Sequence, residues 1–377
     1  MMQYRFDKIA FNSTAKKKPT EEDKERYIGL EHLDSDCLSV TRWGSDVAPT
    51  GEKLLMKKGD VLFGKRRAYQ RKVGIAPFDG IFSAHGMVLR PNEEVIDKDF
   101  FPFFISSDQF MERAVRISVG GLSPTINWKD LREQEFEIPS LSEQKKLSAQ
   151  LWASYRLKES YKKLLAATDE MVKSQFIEMF GCVDNNPKSY DIKKVGDFAE
   201  CFAGATPSTK IPSYWDNGNI PWMSSGEVHK GRVQDTDAKI TQQGYDGCST
   251  KMVPIHSIVV ALAGQGKTRG TVAINDIELC TNQSLCAIVP NEEVNYEYLF
   301  HNLRGRYKEL RSMSGDVDGR GGLNLKHIQS IKVIVPPMSE QMKFVSIARQ
   351  ADKSKFELRK SIEAIDQVIK SLINDIK

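Results

Sequence analysis

The sequence has few of the features that mark a secreted, membrane-spanning or metal-binding protein. Its six cysteines include no C-x-x-C pair, and its six histidines are scattered. A disulfide framework and a zinc site are therefore not expected, and the thiols should be reduced. No window of about 18 uncharged apolar residues predicts a membrane span. The N-terminus lacks the apolar core of a secretory signal, so we expect a cytoplasmic location.

A strong charge imbalance is also missing. The 54 basic residues exceed the 50 acidic residues by only four in a chain of 377 residues. A net charge of this size does not by itself indicate a nucleic-acid partner, so the clustering of basic residues matters more. The length predicts two or three domains.

Common catalytic motifs do not occur. There is no H-E-x-x-H, no P-D followed by a spaced D/E-x-K, and no [DNS]-P-P-[YFW] of DNA amino-methyltransferases. The segment FAGAT lacks the second glycine of a cofactor-binding F-x-G-x-G. No catalytic constellation therefore emerges from the residues, and nothing in them points to a bound metal or cofactor.

The chain contains an internal repeat. Ser142-Glu143-Gln144 recurs as Ser339-Glu340-Gln341, 197 residues later. The same offset holds without a gap to the end of the chain. It relates Asn127 to Asn324, Lys129 to Lys326, Pro139 to Pro336, Lys158 to Lys355, Lys163 to Lys360 and Asp169 to Asp366. Chance would not keep one register for so long, so the pattern indicates a duplication.

A long helix is predicted after each S-E-Q segment, with Ser142 or Ser339 as its N-cap. From Phe344 onward, the second helix carries seam residues at alternating steps of four and three, a period of 3.5 that indicates a coiled coil. A helix of about 38 residues is roughly 57 Å long. We predict that the seam residues of the two helices pack against each other. The predicted interface residues are Leu147, Leu151, Tyr161, Leu165, Val172, Met179, Phe344, Leu358, Ile362, Ile365, Ile369, Leu372 and Ile376.

The regions before the helices contain short β-type runs broken by Gly, Pro and Asn, then a helical segment and a Gly-rich turn. The predicted fold class is α+β, with two globules that share a layout and differ in most residues. The predicted segments are a first globule at 1–137, a first helix and linker at 138–184, a second globule at 185–334 and a second helix at 335–377.

The segment ALAGQGKT differs from a phosphate-binding loop by one residue, because Ala261 replaces the first glycine. A phosphate-binding loop needs a helix after its Lys-Thr, whereas RGTVAI follows here and reads as a strand. We therefore predict a turn between two strands, and a P-loop NTPase that uses Gly266-Lys267-Thr268 is a minor alternative.

Basic residues are expected on this turn and on the turn at the equivalent position of the first copy. Lys and Arg suit DNA phosphates, and Gln and Arg can read base edges. A solvated basic loop is the alternative interpretation. The candidate DNA-binding residues are Lys65, Arg66, Arg67, Arg71 and Lys72 in the first copy and Gln265, Lys267 and Arg269 in the second.

Further candidates lie elsewhere in the second copy. Arg306 and Arg320 are basic residues that could contact phosphates, although such residues are commonly just solvated. Trp222 is interpreted as a packing residue, and the adjacent Ser224 and Ser225 as base or phosphate contacts.

Four features of the sequence belong together: IPSLSEQ with VPPMSEQ, KKGDVLFG before the basic turn, TINWKDL with LNLKHIQ, and the duplicated order. With these features the chain resembles the specificity subunit of type I restriction-modification enzymes. The resemblance covers essentially the whole chain. The start YRFDKIA departs from the family's W-x-x-x-x-L-x-x segment.

The resemblance implies two target-recognition globules that each read one part of a split, asymmetric DNA site. It implies two helices that pair antiparallel as a spacer, with pseudo-two-fold symmetry. Two methylation subunits would dock and carry S-adenosylmethionine, and restriction subunits with ATP and Mg could join. A coiled-coil adaptor with two protein-binding globules remains the alternative that involves no DNA.

Overall fold

The computed structural model describes residues 2–264, 266–313 and 322–374. The chain divides into two compact units. Described residues up to Lys163, together with those from Leu358 onward, form the first unit, and Leu164–Glu357 form the second. Each unit therefore includes part of both long helices, and the four-segment division made from the sequence stays a prediction.

The first unit is an α+β globule that contains two four-stranded sheets, with strand orders β2-β9-β6-β7 and β3-β5-β8-β4, and a separate β1-β10 pair. Its strands are β1 Met2–Arg5, β2 Ala10–Ser13, β3 Lys16–Lys17, β4 Tyr27–Ile28, β5 Lys53–Met56, β6 Val61–Phe63, β7 Val73–Ile75, β8 Gly80–Phe82, β9 Met87–Pro91 and β10 Glu135–Ile138. Its helices are α1 Phe6–Ile9, α2 Phe101–Ser106, α3 Asp108–Arg116, α4 Trp128–Leu131 and the start of α5 Leu141–Phe180.

The second unit repeats this plan with sheets ordered β12-β19-β16-β17-β14 and β15-β13-β18 and a β11-β20 pair. Its strands are β11 Asp191–Lys194, β12 Ala199–Ala203, β13 Ile220–Met223, β14 Arg232–Val233, β15 Ala238–Ile240, β16 Ile258–Ala261, β17 Val272–Asn275, β18 Cys280–Thr281, β19 Leu285–Pro290 and β20 Lys332–Val335. Its helices are α6 Val195–Phe198, α7 Gln242–Asp246, α8 Tyr296–Gly305, α9 Tyr307–Ser312, α10 Leu325–Ser330 and most of α11 Met338–Asn374.

The two units share the strand order of their main sheets, so the duplication predicted from residue spacing is also visible in the topology. In both units the first strand pairs antiparallel with the last strand before a long helix. Met2 lies opposite Ile138 in one pair, and Asp191 lies opposite Val335 in the other. The strand and helix segments predicted from the sequence all fall on strands and helices, although each predicted globule helix is split in two.

The predicted helix caps are wrong. Ser140, not Ser142, precedes α5, and its Oγ donates to Glu143 Oε2 at 2.7 Å while Glu143 N–H donates back to Ser140 Oγ at 3.4 Å. This reciprocal bonding needs a serine three residues before the glutamate. Pro337 occupies the corresponding position before α11, so Ser339 also lies inside the first turn rather than at the cap.

The glutamine of each S-E-Q segment fastens the helix start to its globule. Both side chains are fully buried. Gln144 Oε1 accepts from Asp97 N–H at 2.7 Å, and its Nε2 donates to the carbonyl oxygens of Val95 and Pro139. In the second unit Gln341 makes the same three bonds, to Asn295, Glu293 and Pro336. A buried amide with all three bonds made fixes where the helix leaves the globule.

Substitution of Gln341 tests this fastening. Gln341→Ala leaves the buried partners without their bonds, so the free energy of unfolding should fall by about 1–3 kcal/mol. Gln350→Ala, on the exposed face of the same helix, is the control and should have little effect. Denaturant unfolding of the two variants measures the difference, and equal midpoints would show that the amide does not fasten the helix.

Candidate nucleic-acid interface

The connection after β16 is a turn between strands. Val260 of β16 pairs antiparallel with Val272 of β17, so Lys267-Thr268 is followed by a strand. Gly264 and Gly266 have φ values of 137° and 64°, which glycine adopts without strain. Without a helix N-terminus after the lysine, the backbone cannot hold phosphates as a P-loop does. The prediction of a strand-turn-strand unit is confirmed.

Helix α9 holds this turn in place. The Tyr307 hydroxyl donates to the carbonyl oxygen of Lys267 at 3.2 Å, and the Arg311 guanidinium donates to the carbonyl oxygen of Gly266. The Thr271 hydroxyl also donates to the Lys267 carbonyl, at 2.8 Å. The main chain is thus fixed while the side chain of Lys267 is exposed, which is a suitable geometry for a phosphate contact.

Arg269 does not lie where the sequence predicted. It is only 4% exposed, so the expectation that the turn presents it to solvent is wrong. The chain re-enters the sheet directly after it, because Gly270 N–H donates to the carbonyl oxygen of Ala261 at 2.9 Å. Gln265 and Arg320 lie outside the described residues.

The equivalent turn of the first unit is held by the Gly-rich segment that follows α3. Arg67 N–H donates to Pro124 O at 2.7 Å, and Ile126 N–H donates to Lys65 O at 3.0 Å. The second unit has the matching bond from Leu323 N–H to Leu262 O at 2.9 Å. Both turns are therefore anchored in the same way.

Arg67 is the exposed basic residue of the first turn. It adopts a left-handed conformation with a φ of 57°, and its Nε donates to Ser123 Oγ at 3.2 Å. Tyr69 is 55% exposed two residues later. This tyrosine is not among the residues predicted from the sequence, although an aromatic residue inside a basic run is a readable signal. An exposed ring beside a guanidinium can stack on a nucleobase.

The other basic residues of the first turn have partners within the unit. Arg71 bonds to Asp36 at 2.7 Å and to Asp108 at 3.0 Å, and Lys72 Nζ donates to Leu30 O at 2.6 Å. Lys65 and Arg66 are partly buried. Burial, and secondarily the charge of Lys16, lowers the pKa of the Lys65 ammonium. Of the predicted first-unit residues, Arg67 is thus the best placed for DNA, and the assignment of the whole set stays a prediction.

The remaining candidates of the second unit are mainly structural. Trp222 is 8% exposed, and its Nε1 donates to Ala205 O at 3.0 Å, so the packing interpretation is confirmed. Ser224 bonds to Glu227 through its N–H and its Oγ, and Ser225 is partly exposed. The Arg306 guanidinium donates to Glu309 and to Lys332 O.

The predicted helix seams are buried as expected. In the first unit Leu147 and Leu151 share a core with Ile369 and Leu372. In the second unit Val172 and Met179 share a core with Phe344. In the first unit the start of α5 thus packs against the end of α11. In the second unit the end of α5 packs against the start of α11. The pairing within each unit is therefore antiparallel. The partly buried seam residues Tyr161, Leu165, Leu358, Ile362 and Ile365 complete the set, and Ile376 lies outside the described residues.

Two lysines occupy positions of these seam repeats, and their carboxylate partners were not identified from the sequence. Lys158 forms an ion pair with Asp366 in the first unit, and Lys355 binds Asp169 at 2.9 Å in the second. The signal was present, because the offset of 197 residues relates both the two lysines and the two aspartates.

A cavity adjoins each of these ion pairs. The cavity of the first unit, about 460 Å³, is lined by residues that include Arg71, Phe103 and Lys158. That of the second unit, about 480 Å³, is lined by residues that include His301 and Lys355. Burial lowers the pKa of His301 to about 4, although Asp352 acts in the opposite direction. Within residues 2–264, 266–313 and 322–374, no group of His, Cys, Asp and Glu is arranged to hold a metal ion, and no helix is long and apolar enough to cross a membrane.

His301 predicts a pH dependence of stability. Because its pKa rises from about 4 to about 6.5 on unfolding, only the unfolded chain takes up this proton between those values. The free energy of unfolding should therefore fall as the pH is lowered from 6.5 to 4, by on the order of 2 kcal/mol from this residue.

Comparison of urea unfolding at pH 7 and pH 4.5 checks this dependence. His301→Gln should lose part of the pH dependence that the unchanged protein shows, whereas His229→Gln, at an exposed position, should retain all of it. Equal dependence in the His301 variant would exclude the buried imidazole as a cause.

The comparisons with known proteins agree with this architecture. The family described as "Type I restriction modification DNA specificity domain" matches residues 8–166 and 187–367. Because these two matches cover most of the chain, the protein belongs to this family of specificity subunits, which is non-catalytic.

Individual relatives are distant. The chain is 26% identical over 163 residues to the specificity subunit of EcoR124I/EcoR124II from Escherichia coli, across 42% of this chain and 40% of that protein. It is 22% identical over 380 residues to the putative MjaX specificity subunit from Methanocaldococcus jannaschii, across 92% of this chain and 84% of that protein. Five of the matched relatives are covered over less than half of their own length.

The fold also matches a solved structure. A chain from a type I restriction-modification system, determined to explain complex assembly and conformational transition, has a TM-score of 0.63 at 15% identity. The match covers all of this chain and 97% of the other. At this identity the similarity supports the fold.

Proposed function

We propose that this chain reads an asymmetric, bipartite DNA site, with one globule for each part of the site, and brings methylation subunits to it. The single observation that carries the proposal is the duplicated fold with two unlike turn surfaces. In the first unit the turn after β6 exposes Arg67 and Tyr69, and in the second the turn after β16 exposes Lys267. Equivalent scaffolds with different exposed chemistry suit two readers of different sequences.

The antiparallel pairing of α5 with α11 supports the bipartite arrangement. Repeated helices that pair in opposite directions generate a pseudo-two-fold relation, which can match the local dyad of B-DNA. In this proposal the helices act as a spacer that sets the number of base pairs between the two parts of the site. Two methylation subunits dock on the chain, and restriction subunits can join them.

The chemistry is supplied by the partners in this proposal. S-adenosylmethionine binds the methylation subunits, ATP and Mg bind the restriction subunits, and the complex acts on double-stranded DNA in the cytoplasm. The contribution of this chain is binding and positioning.

Sequencing of methylated DNA from cells that express this chain with its methylation partner tests the proposal. The expected result is methylation at one split sequence whose two parts differ, with a constant gap. If the purified complex binds no DNA and the cells show no new methylated sequence, the chain is instead an adaptor with protein-binding globules.

The exposed basic residues predict phosphate contacts. Arg67→Ala and Lys267→Ala should each weaken binding to the target and lower the slope of log affinity against log salt by about one. A salt titration of the complex with target DNA measures both effects. Lys353→Ala, exposed on α11, is the control, and an unchanged slope in either turn variant would remove that turn from the interface.

The spacer interpretation predicts the effect of lengthening the helices. One added heptad after Ser160 in α5 and another after the equivalent Glu357 in α11 preserve the seam period. The gap in the methylated site should lengthen, by up to about three base pairs from the added 10 Å, and the bases read should not change. Sequenced sites with new bases at the old gap would refute the spacer role.

A further inference from the structure

Each long helix carries one lysine in its seam whose partner carboxylate belongs to the other helix. The side chain of Lys158 is 9% exposed and pairs with Asp366 of α11. The side chain of Lys355 is 5% exposed and pairs with Asp169 of α5 at 2.9 Å and with Asp352 at 2.6 Å. The partner aspartates are partly exposed to water. The buried lysines therefore depend on the ion pair more than the aspartates do.

Both pairs specify the same alignment of the helices. In an antiparallel pair the residue numbers of facing positions add up to a constant. The numbers of Lys158 and Asp366 add up to 524, and those of Lys355 and Asp169 do so as well. The first pair lies in the first unit and the second in the second unit, so two separate contacts select one register.

In the part of α11 that belongs to the first unit, the apolar seam selects the register less strongly. The seam of α11 repeats Leu358, Ile362, Ile365, Ile369 and Leu372, and a displacement by seven residues replaces one branched aliphatic residue with another. A sequence with a uniform heptad pattern can therefore pair in more than one register.

Displacement by one heptad is unfavourable for both lysines in either direction. In one direction Lys158 would face Arg359 and Lys355 would face Lys162, which places like charges together. In the other direction Lys158 would face Ile373 and Lys355 would face Phe176, both of which pack with apolar cores. Lys158 would then lose Asp366, and Lys355 would lose Asp169 while keeping Asp352 of its own helix. A buried charge that loses a partner in such a place is destabilised.

We propose that Lys158 and Lys355 determine the register in which α5 and α11 pair, and through it the gap between the two parts of the DNA site. The first half of this statement concerns the protein alone. The second half rests on the proposed function, so each half has its own measurement.

Cysteine cross-linking of the full-length chain reports the register. Ser154 and Ile369 lie in one seam layer of the native alignment, whereas Ser154 and Ile362 lie in one layer after a displacement by seven residues. Each pair is replaced by cysteines, the chain is oxidised, and the linked peptides are mapped by mass, so that the native thiols do not confuse the result. With both lysines present, only the 154–369 link is expected.

The test variant is Lys158→Met with Lys355→Met, which keeps the side-chain volume and removes both charges. The ratio of the 154–362 link to the 154–369 link should rise about tenfold or more, which corresponds to at least about 1.4 kcal/mol of register preference. Lys343→Met is the matched control, because that lysine is 66% exposed on the same helix as Lys355 and pairs with Glu340. It should leave the ratio unchanged.

An exchange variant keeps the test decisive if the methionine variant does not fold. Lys158→Asp with Asp366→Lys rebuilds the ion pair in the opposite sense and should give the native link alone. Native linkage alone in the double methionine variant, or a shifted link in the exchange variant, would overturn the proposal.

Sequencing of methylated sites separates the two halves. If the proposed function holds, the methionine variant should add a second gap, displaced by about three base pairs for one heptad of about 10 Å. A mixture of cross-links with a single gap would show that the lysines set the register but that the register does not set the gap. Absence of methylation by the unchanged chain would refute the proposed function and leave the cross-linking result intact.

Discussion

A lysine ammonium that is taken out of water needs a carboxylate beside it, and for two seam lysines of this protein the opposite long helix supplies one. Lys158 depends on Asp366, and Lys355 depends on Asp169. The duplication made this exchange possible, because each copy supplies one lysine and one aspartate. Asp352 of the same helix also pairs with Lys355, but in both units an ion pair between the two helices engages the buried lysine. Each compact unit is built from parts of both helices.

The sequence predicted this architecture wherever spacing alone decides it. The period of 3.5 residues fixes which side chains of α5 and α11 share a face, and those positions are buried or partly buried in the described residues. The constant offset predicted two globules with a common topology. The position of the caps was also readable from spacing, because Ser140 stands three residues before Glu143. The prediction of Ser142 follows the start of the repeated motif, which is a property of the duplication and not of the cap.

The candidate interface was less predictable, because a sequence shows charges without their partners. Arg71 and Lys72 look like neighbours of Arg67 in one basic run, yet Arg71 is engaged by Asp36 and Asp108, and Lys72 by the carbonyl oxygen of Leu30. These partners are distant in the chain. Arg269 shows a similar effect, since its burial follows from the return of the chain into the sheet at Gly270. Exposure, and not residue type, distinguishes the basic residues that are accessible to a binding partner from those that hold the fold.

In both globules the first strand lies beside the last, and a buried glutamine fastens the helix start to the same place. The entry and exit of the chain are thus clamped together, while the turns that carry exposed residues lie between them in the chain. Replacement of such a turn leaves the helix start where it was. Under the proposed function, this separation would let a turn acquire a new DNA target during evolution without a change in the geometry of the helix pair.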